Sequence, residues 1–168
     1  THCISSAASD VYKRQALDWV VATIEGLPIR RDPMRFGATA NGGYWIWDSK
    51  PNGMMLKIGG QPSQTNRNAG GCYSPSTDWN VLGPMVLKYP IQMGNHESGN
   101  NDGQFWGSAH CFRAGTAFET QKGVMVAACR AIVAFVLGAV VKVPADLITE
   151  EMRPVTTGIE VTLSLIHI

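Results

Sequence analysis

The segment GVMVAACRAIVAFVLGAVV restricts the fold more than any other part of the sequence, because it is apolar at almost every position. It is nearly long enough to cross a bilayer, but Arg130 lies at its centre, where an arginine is costly in lipid. Gly138 is typical of a helix end. We therefore predict a buried helix from Gly123 to Leu137. Its apolar surface exceeds one amphipathic face, so another part of the domain or a second subunit must cover the rest, and we expect a homo-oligomer.

Two segments nearer the start of the chain also predict regular structure. The apolar spacing of ALDWVVATIEG predicts a first helix that begins at Asp10 or Ala16 and ends at Glu25. YWIWD and MMLKI predict two strands, because a Pro-Asn-Gly turn signal separates these two apolar runs. Alternation along a strand then places Trp45 and Trp47 on the same face.

The segment YSPSTDWNVLGPMVLKYPI predicts a broken helix. Ser76 or Thr77 can cap a first turn that reaches Trp79. Pro84 interrupts that turn and suits the start of a second helical piece, Met85 to Tyr89. Further along, QFWGSAHCF and TAFETQ alternate well enough to predict strands. Together these elements predict a single α+β domain, in which two or three helices pack on a small, mostly antiparallel sheet in an αβα-sandwich-like arrangement.

The two ends of the chain differ in character from the segment between them. SAASDVYKRQ and LSLIHI resemble translated sequencing-adaptor read-through. We therefore expect residues 1–15 to be a non-native extension and residues 16–150 to form the domain. Residues 151–168 would be a tail, of which 162–168 is non-native. Segments of this kind are set aside in reasoning about the fold.

Three segments resemble, in order, the NinX-like family of phage proteins. They are ALDWVVATIEG, YSPSTDWNVLGPMVLKYPI and VMVAACRAIVAFVLGAVVKVPADL, and they span residues 16–147. Residues 28–72 are richer in Gly and Trp than the family pattern, and LGPMV stands where the family has GGPII. YSPSTD is also similar to a motif of small phage proteins described as αβα sandwiches. The resemblance implies a phage accessory protein, encoded among genes that particle assembly does not need, and it supplies no reaction.

Composition and charge exclude several classes of protein. Apolar residues make up 45% and charged residues 16% of the chain, which is typical of a globular domain. The formal net charge is only +1, so the chain lacks the strong positive electrostatic field that attracts nucleic acids. We therefore expect no sequence-specific nucleic-acid partner. The widely spaced cysteines form no C-x-x-C pair, which predicts reduced thiols and no metal site. Because the sequence has no P-loop, dinucleotide fingerprint or nucleophile elbow, we predict neither an enzyme nor a cofactor.

Two groups of residues are candidates for ligand binding. Arg30, Arg31 and Arg35 form the densest basic cluster, and guanidinium groups suit phosphate because they donate in pairs. In YSPSTDW, hydroxyls and free amides at a helix start can form an anion site, beside which an aromatic ring can stack a base. The predicted ligand-binding residues are Arg30, Arg31, Arg35, Trp45, Trp47, Lys57, Tyr73, Ser76, Thr77, Asp78, Trp79 and Arg130.

Each of these features also has a structural interpretation. The arginines could form a solvated face, and the hydroxyls of YSPSTDW could do no more than cap a helix whose aromatic residues belong to the core. Arg130 has apolar neighbours along its helix, so it needs a partner such as Asp18, Asp78 or Glu97. Without one, it must face a ligand or a subunit interface.

These observations predict a protein that acts by binding in the cytoplasm of the infected bacterium, with no membrane partner. The leading hypothesis is counter-defence, in which a pocket of basic and aromatic residues sequesters a small anionic nucleotide signal of the host. The first alternative is a protein–protein interaction module that masks a host enzyme or assists phage recombination. A second alternative is a cryptic hydrolase that uses the region of His96 and His110.

Overall fold

The computed structural model describes residues 6–31, 43–47, 55–59, 72–97, 105–111, 116–120, 123–138, 140–147 and 163–167. The described residues form three α-helices and nine strands, which confirms the predicted α+β class and single small domain. The helices are α1 (Ser6–Ile24), α2 (Trp79–Lys88) and α3 (Val124–Leu137). The strands are β1 (Ile29–Arg31), β2 (Tyr44–Trp47), β3 (Met55–Ile58), β4 (Cys72–Tyr73), β5 (Ile91–Glu97), β6 (Phe105–Cys111), β7 (Thr116–Thr120), β8 (Val140–Pro144) and β9 (Leu163–His167). A single 3-10 turn, Ala145–Leu147, follows β8.

The first predicted helix is α1, and it ends where glycine allows the chain to reverse. Val20 and Val21 are buried on one side of the helix. Gly26 has a φ of 67°, a value that residues with a Cβ seldom adopt. The amide of Leu27 then donates to the carbonyl of Ala22 at 3.1 Å, which satisfies one of the free carbonyls at the helix end.

Sheet A contains four strands in the order β1–β2–β3–β4. The first three strands are antiparallel neighbours, whereas β4 runs parallel to β3. Trp45 pairs with Lys57, which confirms that YWIWD and MMLKI are neighbouring antiparallel strands. The predicted Pro-Asn-Gly turn between them lies outside the described residues. Ile46, Ile58 and Tyr73 are buried, so one face of sheet A packs against the core.

α2 is one continuous helix, so the predicted break at Pro84 is wrong. The Pro84 ring leaves the carbonyl of Asn80, four residues earlier, without a helical donor. Both residues are exposed, so water can bond that carbonyl and the helix continues. The predicted cap is also wrong. Asp78 Oδ1 accepts from the Asn80 amide at 2.9 Å, a role that was expected of a hydroxyl of Ser76 or Thr77.

α3 confirms the predicted long apolar helix and is buried from several directions. It packs against all the strands of sheet B, whose order is β5–β6–β7, and also against α1 and α2. Residues 126–129 and 131–134 are buried, so the domain itself covers much of the apolar surface on which the predicted oligomer rests. Within the described residues, no helix combines the length and the hydropathy that a membrane crossing requires.

The strands divide among three sheets, and the periodicity of the sequence did not predict this division. A helix that is apolar on all sides needs cover from more than one layer, and α3 obtains it from sheet B and from the other helices. β8 and β9 form a separate antiparallel pair.

α1 begins at Ser6, earlier than predicted. Both its first turns and β9 therefore lie within residues that the sequence analysis assigned to non-native ends.

Replacing Gly107 by alanine should destabilise the fold, whereas the same change at Gly94 should not. A Cβ at Gly107 would lie 2.1 Å from the backbone nitrogen of Val124, so β6 and the start of α3 would have to separate. A Cβ at Gly94 in β5 would meet nothing within 4 Å. In urea denaturation we expect Gly107→Ala to lower the free energy of unfolding by about 2 kcal/mol, and Gly94→Ala to change it by less than about 1 kcal/mol. Equal losses in the two variants would contradict this packing.

Candidate functional site

Two buried polar side chains of α1 connect this helix to the ends of neighbouring strands. Gln15 donates from Nε2 to the carbonyl of Ile58, at the end of β3, at 3.1 Å. Asp18, about one helical turn later, accepts from the amide of Ser76 at 2.9 Å and from its hydroxyl at 3.1 Å, just beyond β4. Gly59 makes this approach possible, since a Cβ there would lie 2.7 Å from the Gln15 Cγ. These contacts hold α1 against one end of sheet A.

The surroundings of Asp18 disfavour its charge. Burial raises the pKa of Asp18 from 3.8 to about 7, although the hydrogen bonds from Ser76 and the charge of Arg14 lower it. On α3, burial together with the Asp18 charge raises the pKa of the Cys129 thiol. The Tyr73 hydroxyl is buried and has no hydrogen-bond partner among the described residues. Asp18 is 1% exposed, so protein encloses it, and its bonds to Ser76 connect α1 to the segment after β4.

The basic and aromatic side chains lie on the other face of sheet A. We call this surface the outer face and define it by Arg30, Trp45, Trp47, Lys57 and Cys72. Arg30 pairs with Trp45, Trp45 with Lys57, and Lys57 with Cys72. Directly paired residues share a face, so these side chains form one row across all four strands. Trp47 is 42% exposed, Arg30 is exposed, and the other members are half-buried.

Arg30 stacks on Trp47 within the outer face. The guanidinium carbon lies 5.2 Å from the centroid of the Trp47 ring. A guanidinium group stacked on a ring keeps the N–H donors at its edge available for a phosphate. Further along the row, burial raises the pKa of the Cys72 thiol and the charge of Lys57 partly offsets this rise, which places the lysine charge near that end. The described side chains of this face include no carboxylate.

Arg31 lies on the opposite side of β1 and has a structural partner. Its Nη2 atom is 2.9 Å from Asp146 Oδ2, and the Tyr44 hydroxyl donates to Asp146 Oδ1 at 2.9 Å. Burial and this hydrogen bond raise the pKa of Tyr44 to about 12. Since successive residues of a strand point to opposite faces, Arg30 and Arg31 do not form the predicted cluster. Arg35 lies outside the described residues.

The first residues of YSPSTDW are engaged in contacts within the fold. Tyr73 is only 6% exposed, so its ring cannot stack on a ligand. Ser76 is buried and both its amide and its hydroxyl bond Asp18. Thr77 is exposed, but its Oγ1 donates to the carbonyl of Ser74 at 3.4 Å. The hydroxyls that were predicted to hold an anion are therefore engaged within the protein.

The other predicted residues lie on the helices and away from the row of paired residues in sheet A. Asp78 places a carboxylate at the start of α2, where it would repel an anionic ligand. Trp79 is 48% exposed on α2. Arg130 is half-buried on α3, and burial lowers its pKa. Among the described contacts, neither Asp18, Asp78 nor Glu97 pairs with Arg130 as the sequence analysis suggested.

Sequence reasoning missed the two carboxylates that organise this region. Asp18 lies in the otherwise apolar run ALDWVV, and a lone acidic residue in such a run is a signal of a buried, bonded group. Its partner is 58 residues away, so nothing local identifies it. Asp146 is 102 residues from Tyr44 and carries no comparable signal. Cys72 joins the outer face only through the parallel pairing of β4 with β3.

The fold and the outer face together define a small α+β domain with a basic and aromatic sheet surface. Where side chains are described, no three His, Cys, Asp or Glu residues gather as metal ligands would. The model of the family described as Bacteriophage P22, NinX matches residues 9–135, more than half of the chain. The chain belongs to this family of phage proteins, which confirms the resemblance carried by its three sequence segments. No curated protein and no solved structure matched the chain.

Replacing Asp18 by asparagine should weaken the dependence of stability on pH. The pKa of Asp18 is higher in the folded chain, about 7, than its ordinary value of 3.8, so the folded state holds the proton more tightly. This contribution to stability is complete below the ordinary value and is lost as the pH rises through about 7.

The measurement is urea denaturation of the wild type and Asp18→Asn at several pH values. We expect the wild type to lose about 2 to 3 kcal/mol more than the variant between about pH 5 and pH 8. Parallel pH profiles of the two proteins would show that Asp18 does not titrate as described.

Proposed function

We propose that this phage protein acts by binding and that it sequesters a phosphorylated nucleotide of the host on the outer face of sheet A. Such an activity would oppose a host defence that signals through nucleotides, in the cytoplasm of the infected cell. The observation that carries the proposal is the row Arg30, Trp45 and Lys57, beside which Trp47 is exposed. Two cations and two indole rings thus share one side of the sheet.

The chemistry of this face matches the two parts of a nucleotide. Indole rings stack on bases of any identity, at about 1–3 kcal/mol for each base. The Arg30 guanidinium, held over the Trp47 ring, presents a planar set of donors that fits phosphate oxygens. Lys57 adds a second positive charge on the neighbouring side of Trp45. The site is smaller than the one predicted from the sequence, because Arg31, Tyr73 and Ser76 have partners or positions elsewhere in the fold.

The proposal assigns no catalytic step to the protein. Asp18, whose pKa is strongly shifted, is buried between α1 and the segment after β4, where a bound nucleotide on the outer face would not reach it. A protein that binds without turnover lowers the concentration of a signal in proportion to its own amount. Incubation of the protein with nucleotides, followed by chromatography, should therefore return them unchanged.

Binding should depend on the outer face and not on exposed groups of the same type elsewhere. The measurement is isothermal titration with a panel of linear and cyclic nucleotides. We expect the wild type to bind at least one nucleotide of this panel. Trp47→Ala and Arg30→Ala should each weaken that binding about tenfold, because each removes a base stack or a charge-assisted contact.

Matched controls use Trp79, which is 48% exposed on α2, and Lys142, which is exposed on β8. Trp79→Ala and Lys142→Ala should leave the affinity within about twofold of the wild type. Thermal melting of every variant would show that each still folds. The proposal fails if no nucleotide binds at millimolar concentration, or if the control variants lose as much affinity as the outer-face variants.

The second candidate function, a protein–protein interaction module, is favoured by the surface of α2. Leu87 is 90% exposed, and Trp79 lies on the same side of the helix with 48% of its surface exposed. Exposed apolar side chains can contribute to a protein contact when they form a contiguous patch. A second copy of this chain is the partner to test first, because self-association can be measured on the purified protein alone.

If α2 forms that contact, Leu87→Asp should convert the oligomer to a monomer. A charge that is buried without a partner in an interface costs several kcal/mol, which weakens association by at least about a hundredfold. Sedimentation equilibrium would measure the mass of each species. Gln92→Asp, which adds the same charge at an exposed polar position of β5, should leave the mass unchanged. A monomeric wild type, or an oligomer that survives Leu87→Asp, would show that α2 does not form a contact between copies of the chain.

A further inference from the structure

The row across sheet A places its two cationic residues on the two strands that flank Trp45. Arg30 in β1 and Lys57 in β3 both pair directly with Trp45 in β2. Neighbouring strands lie about 4.8 Å apart, so the backbones that carry the two cations are about 10 Å apart. All three side chains leave the same face of the sheet. The register of the three strands therefore fixes the order of these residues across the sheet as cation, indole ring and cation.

A base stacked on Trp45 would lie between the two strands that carry these cations. The Arg30 guanidinium is displaced along β2 toward Trp47, with its carbon 5.2 Å from the centroid of that ring. Lys57 is half-buried, and its charge acts on the Cys72 thiol, which lies on the next strand, away from Trp45. The third nearby cation, Arg31, is held by Asp146 on the opposite face and does not contribute.

Resting on the proposed function, we infer that the preferred ligand carries two separated phosphate groups on one nucleoside. A nucleoside 3′,5′-bisphosphate has this arrangement, with one phosphate at each end of its sugar. A nucleoside diphosphate or triphosphate carries its phosphates in one chain at one end of the nucleoside. It would reach Arg30 or Lys57 but not both, so its additional charge would gain no second partner. The number of charges on the ligand matters less than their separation.

The test compares two probes that share a base and a sugar and carry two phosphates each. They are adenosine 3′,5′-bisphosphate, in which the phosphates are separated, and adenosine 5′-diphosphate, in which they are adjacent. Isothermal titration of the full chain should show that the separated phosphates bind about tenfold more tightly, as one additional charge-assisted contact predicts.

Lys57→Met tests whether the preference comes from the row. Methionine keeps the aliphatic stem and removes the charge, so the variant should fold, as thermal melting would show. We expect it to bind both probes with similar affinity. Lys142→Met, on β8, should retain the preference of the wild type.

The possible outcomes separate this inference from the proposed function. Equal affinity of the wild type for both probes, or a preference for the diphosphate, would overturn the inference and leave nucleotide binding intact. A preference that survives Lys57→Met would overturn it as well. If neither probe binds and the wider nucleotide panel also fails, the proposed function itself is refuted.

Discussion

A buried carboxylate on α1 determines how the helices meet sheet A. Removing Asp18 from water is costly, and the fold offsets this cost with two hydrogen bonds from Ser76, at 2.9 and 3.1 Å. ALDW and YSPSTD, two of the segments that carry the family resemblance, meet at this contact. Gln15 adds a parallel connection to the end of β3. Because both polar groups lie on the same side of α1, the helix has one position against the sheet in which both are satisfied.

The orientation of sheet A follows from this contact and gives its two faces different roles. One face carries Ile46, Ile58 and Tyr73 into the core. Alternation along each strand then directs Arg30, Trp45 and Lys57 the other way. Arg31, the next residue of β1, points to the core-facing side of the sheet and forms an ion pair with Asp146. The basic and aromatic row is thus a consequence of how the core is packed, and it requires no special loop.

Local patterns predicted much of this fold, and long-range contacts account for what they missed. The apolar run of α3, the end of α1 near Glu25 and the placement of Trp45 and Trp47 on one face depend on neighbours in sequence, and each was predicted correctly. The cap of α2 was predicted wrongly because the Ser76 hydroxyl is engaged by Asp18, 58 residues away, which leaves Asp78 to cap the helix. The sequence predicted the aromatic part of the candidate site but not the arrangement of its arginines. Its aromatic residues follow from alternation, but the separation of Arg30 from Arg31 depends on the register of a three-residue strand.

Sheet A has an inner face that builds the core, and we propose that its outer face binds a phosphorylated ligand. The five tryptophans of the chain allow this to be tested in one experiment, because each indole N–H gives its own signal in a ¹H–¹⁵N spectrum. During titration with adenosine 3′,5′-bisphosphate, the signals of Trp45 and Trp47 should shift while those of Trp19 and Trp79 stay in place. Shifts that appear at Trp79 and not at Trp45 and Trp47, or an unchanged spectrum at saturating nucleotide, would contradict it.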